Sequence, residues 1–185
     1  MASALEALKA HLAQIDNLRM AAAVLNWDQR VYMPPRGTEA RARQLATLAK
    51  LAHEFFVGDQ TRDLLAAAEA AQAEVAGTGV GVAGGTRGGT AGEGGNSDEA
   101  ALLRVARRDF TKATKVPTSL IVEMTEVCAL AEDVWAKARR ENDYPTFAPW
   151  LERILGLKRQ YAKAIGCCVS IEMTPRCLNR SVTPW

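Results

Sequence analysis

The sequence is short of the residues that most catalytic and metal sites require. It contains two histidines, His11 and His53, which lie far apart, together with four cysteines and only 6% aromatic residues. A helix-borne zinc site needs two histidines four residues apart, because positions i and i+4 share one face of the helix. The two histidines of this chain do not form that pair.

The sequence also lacks long apolar runs and an excess of charge of one sign. No run approaches the roughly 18 apolar residues that a membrane helix needs. The net charge is +2, from 23 basic and 21 acidic residues, which is too balanced to favour a nucleic-acid or membrane-surface partner. The first twelve residues include Glu6, Lys9 and His11, unlike a secretory signal. We therefore expect a cytoplasmic protein with no nucleic-acid or membrane partner and no disulfide framework.

Apolar residues recur at helical spacing through most of the chain. Leu5, Leu8, Leu12 and Ile15 follow one another at intervals of three and four, which is typical of an amphipathic helix. Similar patterns predict about six helices, and no stretch alternates as a strand would. We predict an all-α fold for residues 1–166, with several long antiparallel helices.

Capping and helix-breaking residues predict where these helices begin and end. Ser3 and Glu6 form a possible capping box, and Thr38 and Ser97 are expected to cap the second and fourth helices. Pro34 and Pro35 exclude a continuous helix between the first two. We expect Gly37 to take a conformation that other residues avoid, Gly58 to end the second helix, and Asp59 or Thr61 to cap a third helix that reaches Val75. Pro117 should open a helix from about Thr118 to Arg140. A turn at Asn142 to Pro145 and a last helix from about Thr146 to Ile165 should follow.

A glycine-rich stretch interrupts this pattern. Ten of the nineteen residues from Gly77 to Gly95 are glycine. Such a chain loses much entropy on ordering and offers little to bury, so we expect a flexible insertion over 77–96. A phosphate-binding loop is the sharper alternative, but no strand precedes the stretch and no Gly-Lys-Ser or Gly-Lys-Thr follows. The composition changes again after Gly166, and residues 167–185 predict an irregular tail.

Large side chains and charges gather at the corner between the first two helices. Trp27, Tyr32 and Met33 stand beside the double proline, so we expect a packed corner. Asp28 could line a substrate cleft. We expect it instead to accept backbone hydrogen bonds or to pair with an arginine. Arg30 and Arg41 are the candidate partners of Asp28. Arg36, Arg41 and Arg43 could grip an anionic peptide end, but a solvated helix face is the simpler interpretation.

Two groups of side chains could be mistaken for metal ligands. His53 and Glu54 begin like His-Glu-x-x-His, but Val57 stands at the second ligand position. We therefore expect His53 to be a helix-surface or partly buried imidazole that caps or hydrogen-bonds nearby.

The cysteines give a weaker metal signal still. Cys167, Cys168 and Cys177 could bind a soft metal, yet adjacent thiols chelate a tetrahedral ion poorly. Cys128 is expected to be a small core residue. We therefore predict no catalytic, cofactor-binding or metal-binding residue in this chain.

Three blocks of the sequence resemble the carboxypeptidase Taq family of mostly helical zinc metallocarboxypeptidases. The residues that carry the resemblance are Trp27-Asp28, Met33-Pro34, Gly37, Glu39-Ala40-Arg41, Gln44, Leu48 and Leu51 to Glu54; then Arg107 to Phe110 and Lys112 to Pro117; then Phe147-Ala148-Pro149, Leu151-Glu152 and Leu157-Lys158. The blocks keep their order and cover roughly Ser3 to Gly166. In the resembled family this N-terminal region forms a helical wall and lid over a substrate cleft, and the zinc site lies in a later part.

The resemblance implies an enzyme that releases single C-terminal amino acids from peptides with a zinc-activated water. The resemblance carries no catalytic residue onto this chain, so the chain alone is expected to be inactive and zinc-free. A peptide substrate would require the later part. The alternatives are a helical protein-interaction module, with possible self-association through exposed apolar surface, and a non-functional fragment left by a reading-frame change or an early end of the gene.

Overall fold

Six α-helices form the structure, a computed structural model that describes residues 3–78 and 94–166. The helices are α1 (Ala4–Val31), α2 (Thr38–Val57), α3 (Asp59–Thr78), α4 (Gly94–Ala113), α5 (Thr118–Glu141) and α6 (Tyr144–Ala164). The described residues contain no strand, and no helix among them is long and apolar enough to cross a membrane. The all-α prediction is confirmed.

Helix α2 lies at the centre of the fold. Its side chains join Leu8 and Ile15 of α1, Leu65 of α3 and Phe110 of α4 in the largest apolar cluster. A second cluster brings Ala42 and Leu45 of α2 against Ala129 of α5. The burial of apolar side chains along one face of α2, in both halves of the helix, is the main favourable term that holds the helices together.

The long helices run antiparallel, as predicted. Phe56, near the end of α2, joins the cluster that contains Leu8 near the start of α1. Helices α5 and α6 form a hairpin in which Leu120 and Leu157 share a third apolar cluster. Asn142 closes this hairpin in the left-handed conformation, with φ 56°, which asparagine tolerates better than most residues.

Several helix ends differ from the capping prediction. Ser3 caps α1 by accepting from the backbone of Glu6 at 3.2 Å, but the Glu6 carboxylate pairs with Lys9 at 2.9 Å rather than closing the capping box. Thr38 is the first residue of α2 and caps nothing, because its hydroxyl donates to the carboxylate of Asp133 on α5. The Thr38 hydroxyl therefore bonds to α5 instead of capping its own helix.

The third and fourth helices also depart from expectation at their ends. Thr61 lies inside α3, which begins at Asp59, directly after Gly58. Residues 77–78 belong to α3, and residues 94–96 belong to α4. The predicted insertion over 77–96 therefore overlaps a helix at each end. Ser97 lies inside α4, since helix ends vary by a turn when packing supports them. Residues 79–93 and the predicted tail 167–185 lie outside the described residues.

Helices α3 and α4 are tied by an ion pair. Arg107 donates to both carboxylate oxygens of Glu69, at 2.8 and 2.5 Å. This hydrogen bonding raises the pKa of Arg107. Two parallel bonds fix the relative orientation of the helices more firmly than a single contact would.

The corner between α1 and α2 is less packed than predicted. Trp27 and Tyr32 are 57% and 72% exposed and contact each other edge-on, with ring centroids 5.6 Å apart. Gly37 has φ −84°, an ordinary value, so backbone freedom is not the reason for glycine. A Cβ there would lie 3.0 Å from Met33 Cγ and 3.1 Å from the carbonyl oxygen of Pro34. Lack of space therefore selects glycine at this corner.

Two glycine-to-alanine substitutions should change stability in opposite directions. Gly37→Ala should lower the free energy of unfolding by about 1 kcal/mol, because the added methyl group is compressed against a carbonyl. Gly156→Ala, inside α6 with no atom within 4 Å of the new Cβ, should raise it by about 1 kcal/mol, since alanine favours the helix. Urea unfolding followed by circular dichroism measures both. Equal effects of the two substitutions would contradict the steric explanation.

Candidate functional site

A groove beside α1 is a prominent concavity of the described residues. Its volume is about 560 Å³. Leu45, Leu48 and Ala52 of α2 form its floor, α1 forms one wall, and α4, α5 and α6 supply the rest. A smaller concavity of about 450 Å³ continues along α1, and Ala23 and Asn26 line both. We refer to the two together as the α1 groove.

The α1 groove exists because α1 and α5 both pack on α2 without meeting closely. No Cα atom of α1 lies within 8 Å of a Cα atom of α5. One end is closed by the buried Gln29, whose Nε2 donates to the carbonyl oxygen of Ala129 at 2.9 Å. Beside it, Arg30 pairs with Glu132 at 2.5 Å. Between these bridges and the start of α1, the space over α2 is open.

His53 lies in this groove but faces a structural partner. Its Nε2 is 3.1 Å from the carbonyl oxygen of Val116. A carbonyl only accepts, so Nε2 must carry the proton and donate it. Of the two positions expected, on the helix surface or partly buried, His53 takes the partly buried one. Its hydrogen bond joins residues far apart in the sequence, because it fastens the last two turns of α2 to the connection that precedes α5.

His11 forms a second hydrogen-bonded relay in the core. Its Nε2 is 2.8 Å from the hydroxyl of Thr61, which itself donates to the carbonyl oxygen of Phe55 at 2.8 Å. Because a hydroxyl has only one proton, Nε2 of His11 must be the donor to Thr61. His11 and Thr61 are both buried, so the relay joins α1, α2 and α3 where water cannot replace it.

The structure brings Asp28 and Arg41 together, one of the two pairings expected. The distance from Arg41 Nη2 to Asp28 Oδ2 is 2.6 Å, and Nη1 donates to the carbonyl oxygen of Leu25 at 2.5 Å. Arg41 is largely buried. Its guanidinium is therefore occupied in holding α2 against the end of α1. Arg36 and Arg43 are exposed, with no ion pair in the described part of the chain.

Cys128 is the one cysteine in the described ranges, and it is only half-buried. It lines the smaller concavity with Met124 and Lys158. The prediction of a core position was wrong, because α5 turns this face toward the open space over α2. Cys167, Cys168 and Cys177 lie outside the described residues.

Metal ligands do not gather in the described part of the chain. Within 3–78 and 94–166, no group of three or more His, Cys, Asp or Glu side chains could hold a metal ion. Both histidines donate through Nε2, and His53 and Glu54 are the beginning of a motif that continues no further. These residues therefore do not fit a catalytic zinc site, which needs three protein ligands around an open position.

Sequence reasoning missed three cations around the α1 groove. Arg19 lies over the ring of Phe56, 5.4 Å from its centroid, and Lys112 and Lys158 also line the groove. None of the three forms an ion pair in the described ranges. They stand on α1, α4 and α6, so no local motif could have revealed that they surround one space.

The sequence matches a known family over most of its length. The family is described as Carboxypeptidase Taq (M32) metallopeptidase, and the match covers residues 7–169. The chain is 29% identical over 143 residues to thermostable carboxypeptidase 1 of Thermus thermophilus, covering 77% of this chain and 24% of that protein. It is 27% identical over 146 residues to thermostable carboxypeptidase 1 of Pyrococcus furiosus, covering 79% of this chain and 25% of that protein. The chain thus spans about a quarter of the length of these relatives.

Solved structures share the arrangement of the helices. A crystal structure of BsuCP superposes with a TM-score of 0.71 at 20% identity, covering 88% of this chain and 29% of that one. A structure of the Pyrococcus furiosus carboxypeptidase superposes with a TM-score of 0.58 at 25% identity, covering 90% and 29%. The first of these likenesses speaks for the fold alone.

Removing the Thr61 hydroxyl should destabilise the fold more than removing the Thr47 hydroxyl, because only the first belongs to the buried relay. Thr61→Val leaves the buried His11 Nε2 proton without an acceptor and removes the bond to the Phe55 carbonyl, so the free energy of unfolding should fall by about 2 kcal/mol or more. Thr47→Val is the matched control, since the exposed Thr47 hydroxyl donates only to Arg43 within its own helix, and it should cost less than about 0.5 kcal/mol. Chemical denaturation of both variants tests this. A small effect of Thr61→Val would show that the relay adds nothing.

Proposed function

The chain belongs to the carboxypeptidase Taq (M32) metallopeptidase family, and on that premise we propose that it is the helical wall of a zinc-dependent carboxypeptidase. The complete enzyme would release single amino acids from the C-termini of peptides. The chain alone would bind no zinc and hydrolyse no peptide.

The observation that carries this proposal is the extent of the match. It covers residues 7–169 of this chain but about a quarter of the relatives. The described residues offer six helices and an open groove, with no set of metal ligands. A helical wall beside a substrate cleft, without the catalytic groups, would account for the partial match and for the lack of a metal-ligand set among the described residues.

Hydrolysis needs groups that the described residues do not bring together. A metallocarboxypeptidase requires a metal to polarise the scissile carbonyl and to activate water, together with a general base. His11 and His53 are held by Thr61 and Val116, and Arg41 is held by Asp28. Their contribution is to fix the helices, so no step of the reaction is assigned to them.

An interaction module is the second candidate, and one observation favours it. Four apolar side chains of α1 are more than half exposed along one side of the helix: Met20, Val24, Trp27 and Val31. Exposed apolar patches of this kind mark surfaces that another polypeptide covers. The two candidates differ in whether binding at that surface leads to catalysis.

Joining the chain to a catalytic part should produce activity that the chain lacks alone. The purified 185-residue chain, with added zinc or cobalt, should release no amino acid from a peptide with a free C-terminus and should retain no stoichiometric metal after dialysis. A chimaera in which residues 7–169 replace the matched quarter of the Thermus thermophilus relative should bind metal and release C-terminal amino acids. The unaltered relative is the positive control.

Either of two results would overturn this proposal. Metal-dependent release of C-terminal residues by the isolated chain would place a catalytic site within it. A chimaera that folds and binds metal, yet releases nothing under conditions in which the unaltered relative is active, would show that this chain cannot form a working wall.

A further inference from the structure

The C-terminal half of α1 carries apolar residues on its inner face and on much of its outer face. The inner face includes Leu25 and the buried Gln29. Met20, Val24, Trp27 and Val31 are between 52% and 63% exposed and follow one another at spacings of four, three and four. At roughly 100° per residue, these four lie on average about 150° from Leu25 and Gln29, on the side of the helix that faces away from α2. We call them the α1 stripe.

A solvated helix normally carries charged and polar residues on its outer face. Arg30 is the only charged residue among the exposed positions from Met20 to Val31, and it already pairs with Glu132. The outer face of this half of α1 is therefore unusually apolar for a solvated helix. The repeat of the α1 stripe is also the spacing by which one helix seats another.

The α1 groove supplies a second apolar surface on the flank of the same helix. Its floor extends from Leu45 to Phe56 on α2, a length of roughly 16 Å, or about three helical turns. Small side chains, including Ala22, Ala23 and Ala49, line it, which allows a close approach of another backbone. One helix laid over α2 would fill the space between α1 and α5.

The charges around the groove indicate what kind of helix it would accept. Arg19, Lys112 and Lys158 line it without a carboxylate partner in the described ranges. The nearby acids Asp109 and Glu132 are already paired, with Arg108 and Arg30. The rim is therefore positive, and an occupant with carboxylates on either side of an apolar face would match it.

We propose that the α1 stripe and the α1 groove together are the docking surface for the part of a family carboxypeptidase that lies beyond this chain's match. The groove seats an acidic amphipathic helix of that part, and the stripe is covered by the same polypeptide. The relatives supply the size of the occupant, because about three quarters of their length lies outside the match. This inference rests on the proposed function, because that proposal identifies the partner as the rest of a family carboxypeptidase.

Co-expression tests the docking surface directly. The full 185-residue chain, carrying an affinity tag, would be produced with the Thermus thermophilus relative from which the matched quarter has been removed. We expect the two polypeptides to purify together as a complex of one copy each. Recovery of the tagged chain without the other polypeptide, from cells that make both in soluble form, would overturn the proposal.

Two pairs of substitutions place the contact. Val24→Glu puts a carboxylate in the stripe and should weaken the complex about tenfold or more, because burying an unpaired charge is costly. Val105→Glu is the matched control on α4, since Val105 is exposed but lies outside both surfaces, and it should leave the affinity unchanged. Lys158→Glu reverses a charge in the groove and should weaken binding about tenfold, whereas Lys137→Glu, at an exposed lysine outside the groove, should not.

The outcomes separate this inference from the function on which it rests. A complex that forms but releases no amino acid would contradict the proposed catalysis and leave the docking surface standing. An active complex that Val24→Glu and Lys158→Glu do not weaken would contradict the docking surface and leave the function standing. A dimer of the chain alone that Val24→Glu abolishes, with no capture of the relative, would make a second copy the occupant and overturn the proposal. Thermal unfolding of each variant shows that the chain itself remains folded.

Discussion

Packing along one face of α2 is the constraint on which the rest of the structure depends. The second half of this face packs with α1, α3 and α4, and the first half packs with α1 and α5. Because no Cα atom of α1 lies within 8 Å of a Cα atom of α5, those two helices flank the face of α2 without closing over it. The α1 groove is the space that this arrangement leaves, and it follows from the architecture rather than from any motif.

Polar groups fix the helices at places where apolar packing alone would permit sliding. Three of these links fasten α2 to its neighbours: Arg41 to α1, His53 to the start of α5, and the Thr61 relay to α3. Each pairs a buried or partly buried donor with at least one acceptor on another helix or connection, so a shift of α2 would leave groups unsatisfied. The side chains that look most catalytic in the sequence are therefore structural here.

The same arrangement leaves apolar side chains of α1 exposed. One face of the second half of α1 packs on α2, and the opposite face exposes Met20, Val24, Trp27 and Val31, where a solvated helix would normally carry polar residues. A chain that spans about a quarter of its relatives is expected to expose surface that the remaining polypeptide would bury. The positive rim of the groove adds charge selectivity to that surface.

The sequence by itself determined the helical class and the approximate helix boundaries, because these depend on residues near one another in the chain, and its three blocks indicated the family. For Asp28 it left open backbone hydrogen bonds or a pairing with Arg30 or Arg41, and the structure shows the pairing with Arg41. The sequence could not predict that Thr38 would bond to Asp133 rather than cap its helix, that Gly37 was selected for space, or that Trp27 and Tyr32 would be exposed. Only the tertiary structure decided those features and brought Arg19, Lys112 and Lys158 around one groove. Each depends on how α1, α4, α5 and α6 pack around α2, and helical periodicity shows which residues share a face but not which helix will meet that face.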